Sequence, residues 1–353
     1  MNVRFRPESI AGCLGKGIWL AYICCLGMWG LAPLAVKAQE ASLGNGSLDT
    51  SAIAQPGRIS PASFANSTIN QVVASELEIP VERFRRSFFQ GAEVSGGILG
   101  NGGEGPVGPG QSGSLDETFW EAKVAFGIPL GSLNNILAVQ PFFRADHLDG
   151  PTGLDVPGTL YSTGVTLFQR KKWNERISTI LIATPSVRSD FTTGEDAFRL
   201  FGLALVNWQC REHLTVGLGA VFLDRADLGL LPAIGLTWTP IPQWRLDLVL
   251  PRPQINYRVW KNGAQAEGWI FAGASLNGNT WAVTRVGGSL EGQDDELTVS
   301  GIRLFSGYET ILAGNRGWRI EGGLVVNRSI EYETSDIDFD LDDALFVQGT
   351  WKF

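Results

Sequence analysis

The sequence predicts an all-β chain that closes into a single antiparallel transmembrane β-barrel of about 14 strands (12–16), behind a disordered N-terminal tail. First, short β-branched and aromatic runs alternate with Gly, Pro, Asn and Asp clusters between Phe88 and Phe353. Second, the chain has 44 Gly, 12 Trp, only 18% charged residues and a mean hydropathy of +0.05. Such an average suits a barrel, because lipid-facing and interior residues offset each other. The third observation is the closing strand.

The last ten residues, Ala344 to Phe353, alternate between two faces. Phe353 and Trp351 end an apolar face, whereas Lys352 and Gln348 belong to a mostly polar face. A strand that stops at Phe, with Trp two residues earlier, resembles the closing strand of bacterial outer-membrane β-barrels. That resemblance implies that Trp351 and Phe353 form an insertion signal for the barrel-insertion machinery. An ordinary edge strand of a soluble sheet stays as the alternative.

The N-terminal segment predicts export. Residues 1–38 combine a basic start, an apolar run and small residues before Gln39, which is typical of a secretory signal peptide; an uncleaved anchor helix is the alternative. Residues 39–86 are predicted to form a disordered periplasmic linker, with a short helix around Ser75–Arg86 that could rest in the barrel mouth. Residues 87–353 are predicted to form the barrel. Removing the signal peptide takes away four basic residues and one acid, leaving 24 basic and 35 acidic residues and a net charge of −11. This charge argues against a nucleic-acid partner.

The connections between strand-like segments supply an independent test of the barrel. With the C-terminus fixed on the periplasmic side, short connections should alternate with long outer loops. The predicted short connections are 131–134, 172–174, 211–213, 240–243, 277–278 and 307–314. The predicted outer loops are 99–116, 147–158, 190–197, 224–230, 259–266, 287–295 and 328–343.

Aromatic residues near strand ends agree with a membrane setting, because Trp and Tyr favour the headgroup level. A soluble β-sandwich with these rings in its core is the alternative, but it leaves unexplained why so many apolar rows end in Trp. The residues expected at the headgroup level are Trp120, Trp208, Trp238, Trp244, Trp269, Trp318, Trp351 and Tyr161.

A family resemblance rests on three stretches: Phe142–Pro151, which reads FFRADHLDGP, Leu231–Pro240, which reads LPAIGLTWTP, and Leu250–Tyr257, which reads LPRPQINY. The chain resembles a family of bacterial outer-membrane β-barrels of unknown function over roughly Phe88 to Phe353. The resemblance implies the architecture and an outer-membrane location. It brings no substrate and no catalytic residues.

Charged residues on the predicted interior faces are the main functional candidates. They either line a pore or form ion-pair ladders that merely satisfy the interior, and the sequence does not separate these interpretations. The predicted pore-lining residues are Glu121, Lys123, Arg144, Arg176, Arg188, Arg199, Arg245, Asp247, Arg319 and Glu321.

Two weaker sites remain. An acidic run in the last outer loop offers the oxygen ligands that Ca²⁺ prefers, although its spacing matches no EF-hand and a solvated loop is favoured; its members are Asp336, Asp338, Asp340 and Asp342. His147, with Asp146 or Asp149, is the only conceivable start of a hydrolase site, and no nucleophile is singled out. Cys210, alone once the signal peptide is removed, is expected to be a packed thiol.

These residues support three hypotheses about function. The first is a passive pore or uptake channel for small solutes, and the second is a structural or surface-interaction barrel whose acidic loops bind ions. The third and least favoured is an outer-membrane lipid hydrolase centred on His147. The chain is therefore expected not to be an enzyme, with the hydrolase as the alternative. No cofactor is expected, and the expected partners are outer-membrane lipid, the insertion machinery and a small solute.

Overall fold

The structure is a computed structural model that describes residues 81, 85, 87–100, 113–132, 134–194, 196–223, 229–287, 290–334 and 339–353. They all belong to one compact unit that spans residues 67–353. The predicted signal peptide lies outside the described residues, as does the predicted linker except for Val81 and Arg85. Within the described ranges, no helix is long and apolar enough to cross a membrane.

The described residues form β-strands and one short 3₁₀ turn at Thr152–Leu154. The strands are β1 (Phe89–Gly100), β2 (Asp116–Ser132), β3 (Asn135–Asp149), β4 (Thr159–Lys172), β5 (Ile177–Ser189), β6 (Phe198–Arg211), β7 (Leu214–Phe222), β8 (Leu230–Ile241), β9 (Trp244–Val249), β10 (Gln254–Asn262), β11 (Ala266–Thr284), β12 (Asp294–Leu312), β13 (Arg316–Tyr332), β14 (Phe339–Leu341) and β15 (Ala344–Lys352).

The sheet closes on itself. Each strand from β1 to β13 pairs antiparallel with the next one, β13 pairs with β15, and β15 pairs with β1. β14 and β15 keep one register on β13, since Arg328 pairs with Leu341 and Val325 with Ala344. They therefore occupy one wall position, interrupted only at Asp342 and Asp343. The described wall is a closed antiparallel barrel of fourteen positions, which confirms the predicted fold class and strand number.

Two predicted boundaries were wrong, and the errors cancelled in the count. The predicted outer loop 259–266 contains an inner turn at 263–265, and the predicted turn 277–278 lies within the long strand β11. Asn-Gly usually marks a hairpin, but here Gly278 has a φ of 131° and the strand continues. The missed outer connection is 250–253, where Pro251 and Pro253 separate β9 from β10. The strand β10 was therefore missed, and the second half of β11 was counted in its place.

The two ends of the barrel differ in their connections. At the end that carries the C-terminus, which we call the inner end, six connections of two to four residues join the strands: 133–134, 173–176, 212–213, 242–243, 263–265 and 313–315. At the opposite, outer end, most connections are longer: 101–115, 150–158, 190–197, 223–229, 250–253, 285–293 and 333–338. Apart from the region of β9 to β11, this asymmetry follows the predicted one.

The exterior of the wall is apolar. On β15, Leu345, Val347 and Trp351 are exposed, whereas Phe346 is buried, as the alternation predicts. On β2 the exposed exterior face runs from Trp120 to Leu130, about 33 Å at about 3.3 Å per residue. A strand tilt of about 40° reduces this to a height of about 25 Å, which matches the apolar band of outer-membrane barrels. Further exposed apolar residues on this surface are Val94, Ile98, Leu181, Val206, Leu218, Ile234, Ile270, Leu276, Ile320 and Leu324.

Tryptophans surround the inner end. Each lies within four residues of an inner turn or of the C-terminus: Trp173, Trp208, Trp238, Trp244, Trp260, Trp318 and Trp351. Trp269 does not belong to this set, because it alternates with the exposed Ile270 and is buried inside the barrel against Ile311. Its predicted place at the headgroup level was therefore wrong.

Candidate functional site in the barrel interior

The interior is built around arginines stacked on phenylalanine rings. The stacking supports each guanidinium through cation–π attraction, which strengthens when water is excluded. The guanidinium carbon lies 4.0 Å from the ring centroid for Arg144 over Phe119, 4.4 Å for Arg303 over Phe346, 4.1 Å for Arg252 over Phe305 and 3.7 Å for Arg319 over Phe271. Of these arginines, Arg144 and Arg319 were predicted to face the interior, whereas Arg252 and Arg303 were missed.

Glu321 on β13 joins two of these arginines. Its side chain is 1% exposed, and its Oε2 accepts hydrogen bonds from Arg252 at 2.7 Å and from Arg319 at 2.8 Å. Arg252 itself is 40% exposed, so this ion pair presents its cation, not its carboxylate, to the interior space. Arg319 also donates to Gln254 at 3.1 Å. The cluster therefore connects β13 to the β9–β10 connection and β10.

Replacing Glu321 with Gln should strongly destabilise the barrel. Arg319 would stay largely dehydrated without its nearest carboxylate, and removing one partner of a buried pair costs about 3–5 kcal/mol. Guanidinium-induced unfolding in lipid vesicles, followed by Trp fluorescence, measures the loss. The matched control is Asp247→Asn, since Asp247 is 26% exposed and pairs with the half-exposed Arg245; this change should cost less than about 1 kcal/mol. Equal losses would contradict the assigned role of Glu321.

A second cluster lies at β2 and β3. Arg144 donates to Glu117 at 2.9 Å and to Asp146, which is buried. Because neighbouring residues of a strand point to opposite faces, Asp146 faces the interior while His147 faces outward. The predicted pairing of His147 with Asp146 was therefore wrong. Instead, the exposed His147 has its Nδ1 3.0 Å from the hydroxyl of Thr159.

The other predicted pore-lining residues fall in several places. Lys123 pairs with Glu121 at 2.7 Å, Arg245 pairs with Asp247 at 2.8 Å, and Arg199 pairs with Glu296 at 2.7 Å. Arg188 donates to Asn279 on β11 at 2.7 Å. Arg176 lies in the turn before β5 and is exposed, so it is not part of the wall. Ion pairing is thus the common state of these interior charges.

The β3–β4 connection at the outer end, residues 150–158, folds into the barrel, and we call it the inward loop. Leu154 is fully buried in an apolar cluster. The backbone carbonyl of Asp155 accepts a hydrogen bond from Tyr332 at 2.7 Å, and its carboxylate pairs with Arg285 at 2.5 Å. The cluster around Leu154 consists of Leu115, Leu160, Trp281, Val283, Leu297, Val299, Ile330, Tyr332 and Leu341.

The outer end is narrowed further by contact between β5 and β11. Ser189 pairs with Ala282 in a parallel bridge, although β6 to β10 lie between the two strands in the wall. Next to this bridge, the Asp190 carboxylate accepts hydrogen bonds from the backbone amides of Thr284 and Thr192 at 2.9 and 2.8 Å. Asp190 therefore connects the β5–β6 loop to β11, across the outer ends of the shorter strands β7 to β10.

This connection should weaken in acid. Burial by itself would raise the pKa of Asp190, but hydrogen bonds from Thr192, Thr284 and Thr193 outweigh it and lower the pKa below its usual value. A lowered pKa stabilises the contact fully above about pH 4, and that stabilisation is lost as the pH falls through the lowered value. Single-channel conductance should therefore rise in acid for the wild type and be raised already at pH 7 in Asp190→Asn. The same conductance for both proteins at pH 7 would contradict this role.

At the inner end, described residues from before β1 contact the interior. Val81 is buried against Trp269 and Ile311, and Arg85 donates to the carbonyl of Gly314 at 2.7 Å. Most of the helix suggested around Ser75–Arg86 lies outside the described residues. What the described part shows is that the chain passes inside the mouth before it enters the wall.

The structure adds little support for the weaker predicted sites. Asp336 and Asp338 lie outside the described residues; Asp340 is exposed in β14, and Asp342 lies between β14 and β15. Across the described ranges, no three His, Cys, Asp or Glu residues are grouped to hold a metal ion. Cys210 is exposed on the exterior face that it shares with Trp208, so its predicted packing was wrong.

The barrel combines a closed wall with an apolar exterior and a charged interior. Backbone groups can cross a bilayer as strands only in a closed sheet, because no water satisfies a free edge there. This is the architecture of a bacterial outer-membrane β-barrel. It confirms the architecture that the sequence resemblance implied.

No protein-family model matches the barrel sequence, and no curated protein matches it. Among solved structures, the barrel is similar to OprB of Pseudomonas putida, with 10% identity over 75% of this chain and 92% of that chain and a TM-score of 0.30. It is also similar to the β domain of the Bordetella autotransporter BrkA, with 7% identity over 74% and 99% of the two chains and a TM-score of 0.30. A third similar structure is OpdQ of Pseudomonas aeruginosa, with 8% identity over 76% of this chain and 99% of that chain and a TM-score of 0.29. Likenesses with TM-scores of this size support no inference about function.

Proposed function

We propose that this barrel is a channel for small solutes in the bacterial outer membrane. The observation that carries the proposal is the state of Arg252 and Arg245, which belong to the interior and yet are 40% and 43% exposed. Side chains that only filled a solid interior would be dehydrated, because exposed charge contributes nothing to packing. Charged groups with this much free surface support a hydrated passage. Fourteen strands also give more room than eight-stranded barrels, whose interiors side chains fill.

The inward loop and the β5–β11 contact support a narrow passage in preference to a wide one. Leu154 is fully buried at the outer end, so the passage is constricted where a solute would enter. Interior ion pairs then act as fixed charges along the remaining route. The proposal is therefore a channel of small conductance with an ionic lining, for solutes whose identity the sequence does not give.

Single-channel recording tests this function directly. The refolded chain from residue 39 onward, inserted into planar lipid bilayers, should give repeated current steps of one size. A barrel that shows heat-modifiable gel migration and β-type circular dichroism but stays electrically silent would refute the channel. The same preparation, unfolded by heat before addition, serves as the control for leakage caused by protein aggregates.

A further inference from the structure

One side of the interior is lined by an apolar row that crosses five neighbouring strands. Phe168 on β4 pairs with Ile182 on β5, which pairs with Leu203 on β6. Leu203 pairs with Val221 on β7, which pairs with Leu231 on β8. We call these five residues the apolar row. Its members are direct cross-strand partners, so they form one continuous strip.

Alternation places the apolar row inside the barrel. On each of these strands the exterior face is marked by exposed side chains of opposite parity, such as Leu181, Leu218 and Ile234. Val221 is buried, but Phe168, Ile182, Leu203 and Leu231 keep part of their surface accessible. None of the five belongs to the three apolar clusters formed by the described residues.

An apolar strip is unfavourable in a passage meant only for polar solutes. Each partly exposed side chain of the row leaves apolar area in contact with water, at about 25 cal/mol per Å². Hydrophobic linings also promote dewetting, which obstructs ions and sugars. A solute with an apolar body removes both penalties when it covers the strip.

A positive group lies near the other side of the same space. β6, the middle strand of the row, is seven wall positions from β13 in either direction around the fourteen, so the two strands lie on opposite sides of the ring. β13 carries Glu321, and Arg252 reaches that residue from the connection between β9 and β10. Because Glu321 is buried and Arg252 is 40% exposed, the charge offered to a ligand there is positive.

We propose that the interior binds small amphipathic anions, with a carboxylate at Arg252 and an apolar body along the apolar row. This inference deepens the proposed channel function and rests on it for its biological meaning. Carboxylates suit the planar guanidinium donors of arginine, and apolar surface suits the row. The ligand class is thus an aliphatic or aromatic carboxylic acid of modest size.

Equilibrium dialysis of radiolabelled 4-phenylbutyrate against the refolded chain in lipid nanodiscs tests the proposal without requiring conductance. Phenylbutyrate should bind at least about tenfold more tightly than acetate, which lacks the apolar body, and than 4-phenylbutylamine, which reverses the charge. The double variant Ile182→Asn/Leu203→Asn should lose at least about tenfold in affinity for phenylbutyrate. Arg252→Gln should remove the preference for phenylbutyrate over the amine.

Arg176→Gln is the matched control, because Arg176 is an exposed arginine in the turn before β5 and is not part of the wall; its affinity should stay within about twofold of wild type. Folding of every variant is checked by gel migration. Unchanged binding in the folded double variant would overturn the proposal. Binding that appears only after residues 39–80 are removed would also overturn it, since that segment would then occupy the apolar row in the intact chain. Binding by an electrically silent barrel would refute the channel and keep the ligand site, whereas conductance without binding would do the reverse.

Discussion

Leu218→Arg is expected to lower the free energy of unfolding of the barrel by about 2–4 kcal/mol in lipid vesicles. Leu218 lies on the exterior of β7 and is 58% exposed, between Val206 on β6 and Ile234 on β8, which are also exposed. On a soluble protein such a surface substitution would change stability by no more than about 0.5 kcal/mol. In a bilayer the guanidinium must enter the apolar band or distort it. The size of the effect therefore distinguishes lipid from water outside the wall.

The matched control places the same charge on the other face of the same strand. Thr215 faces the interior of β7 by alternation and is only partly buried, so Thr215→Arg should cost less than about 1 kcal/mol. Both variants are unfolded with guanidinium in the same vesicles and compared with wild type. If Leu218→Arg proved as harmless as Thr215→Arg, the apolar exterior would not be in contact with lipid.

The exterior was predictable because the bilayer enforces one rule on every strand. Val347 and Trp351 on β15 and Trp120 on β2 are exposed as period-two alternation requires. Pairing then transmits that parity around the ring, so one correctly read strand fixes its neighbours. The predicted pattern of inner turns depended on the same parity. It failed between β9 and β11, where Asn277-Gly278 imitated a turn and the turn at 263–265 was missed.

The interior was less predictable, since no single solvent acts on it. On β12 the apolar residues Leu297, Val299 and Phe305 share the interior face with Arg303. Leu297 and Val299 are apolar because the inward loop packs on them, a contact that local sequence does not record. Arg303 was the available signal, because a charge within an apolar row marks an interior face.

The interior position of Arg252 and the apolar row were not predicted, for separate reasons. Arg252 lies in a connection and not in a strand, so alternation assigns it no face. The apolar row escaped because β5 and β6 are apolar on both faces, as at Ile180–Ala183, which hides the period of two. The proposed function therefore depends on residues whose orientation is set by tertiary contact.

The inward loop should be the main barrier to conductance, so releasing it should raise single-channel conductance by about threefold or more. The double variant Leu154→Ala/Asp155→Ala removes a fully buried apolar side chain and the carboxylate that pairs with Arg285. The first change costs about 2–5 kcal/mol, and the second removes the closer of two carboxylates that pair with Arg285, since Asp295 lies 3.2 Å away. The loss falls on the loop, because the hydrogen-bonded wall does not depend on these two side chains. The barrel should therefore stay folded while the loop undocks.

The control makes the same two kinds of substitution, Asp to Ala and Leu to Ala, at exposed residues. Asp149 and Leu230 are exposed at the outer end, Leu230 by 71%, so Asp149→Ala/Leu230→Ala should leave conductance at the wild-type value. Limited proteolysis reports separately whether residues 150–158 have become accessible. Cleavage of the released loop with unchanged conductance would mean that the passage is limited elsewhere than at the inward loop.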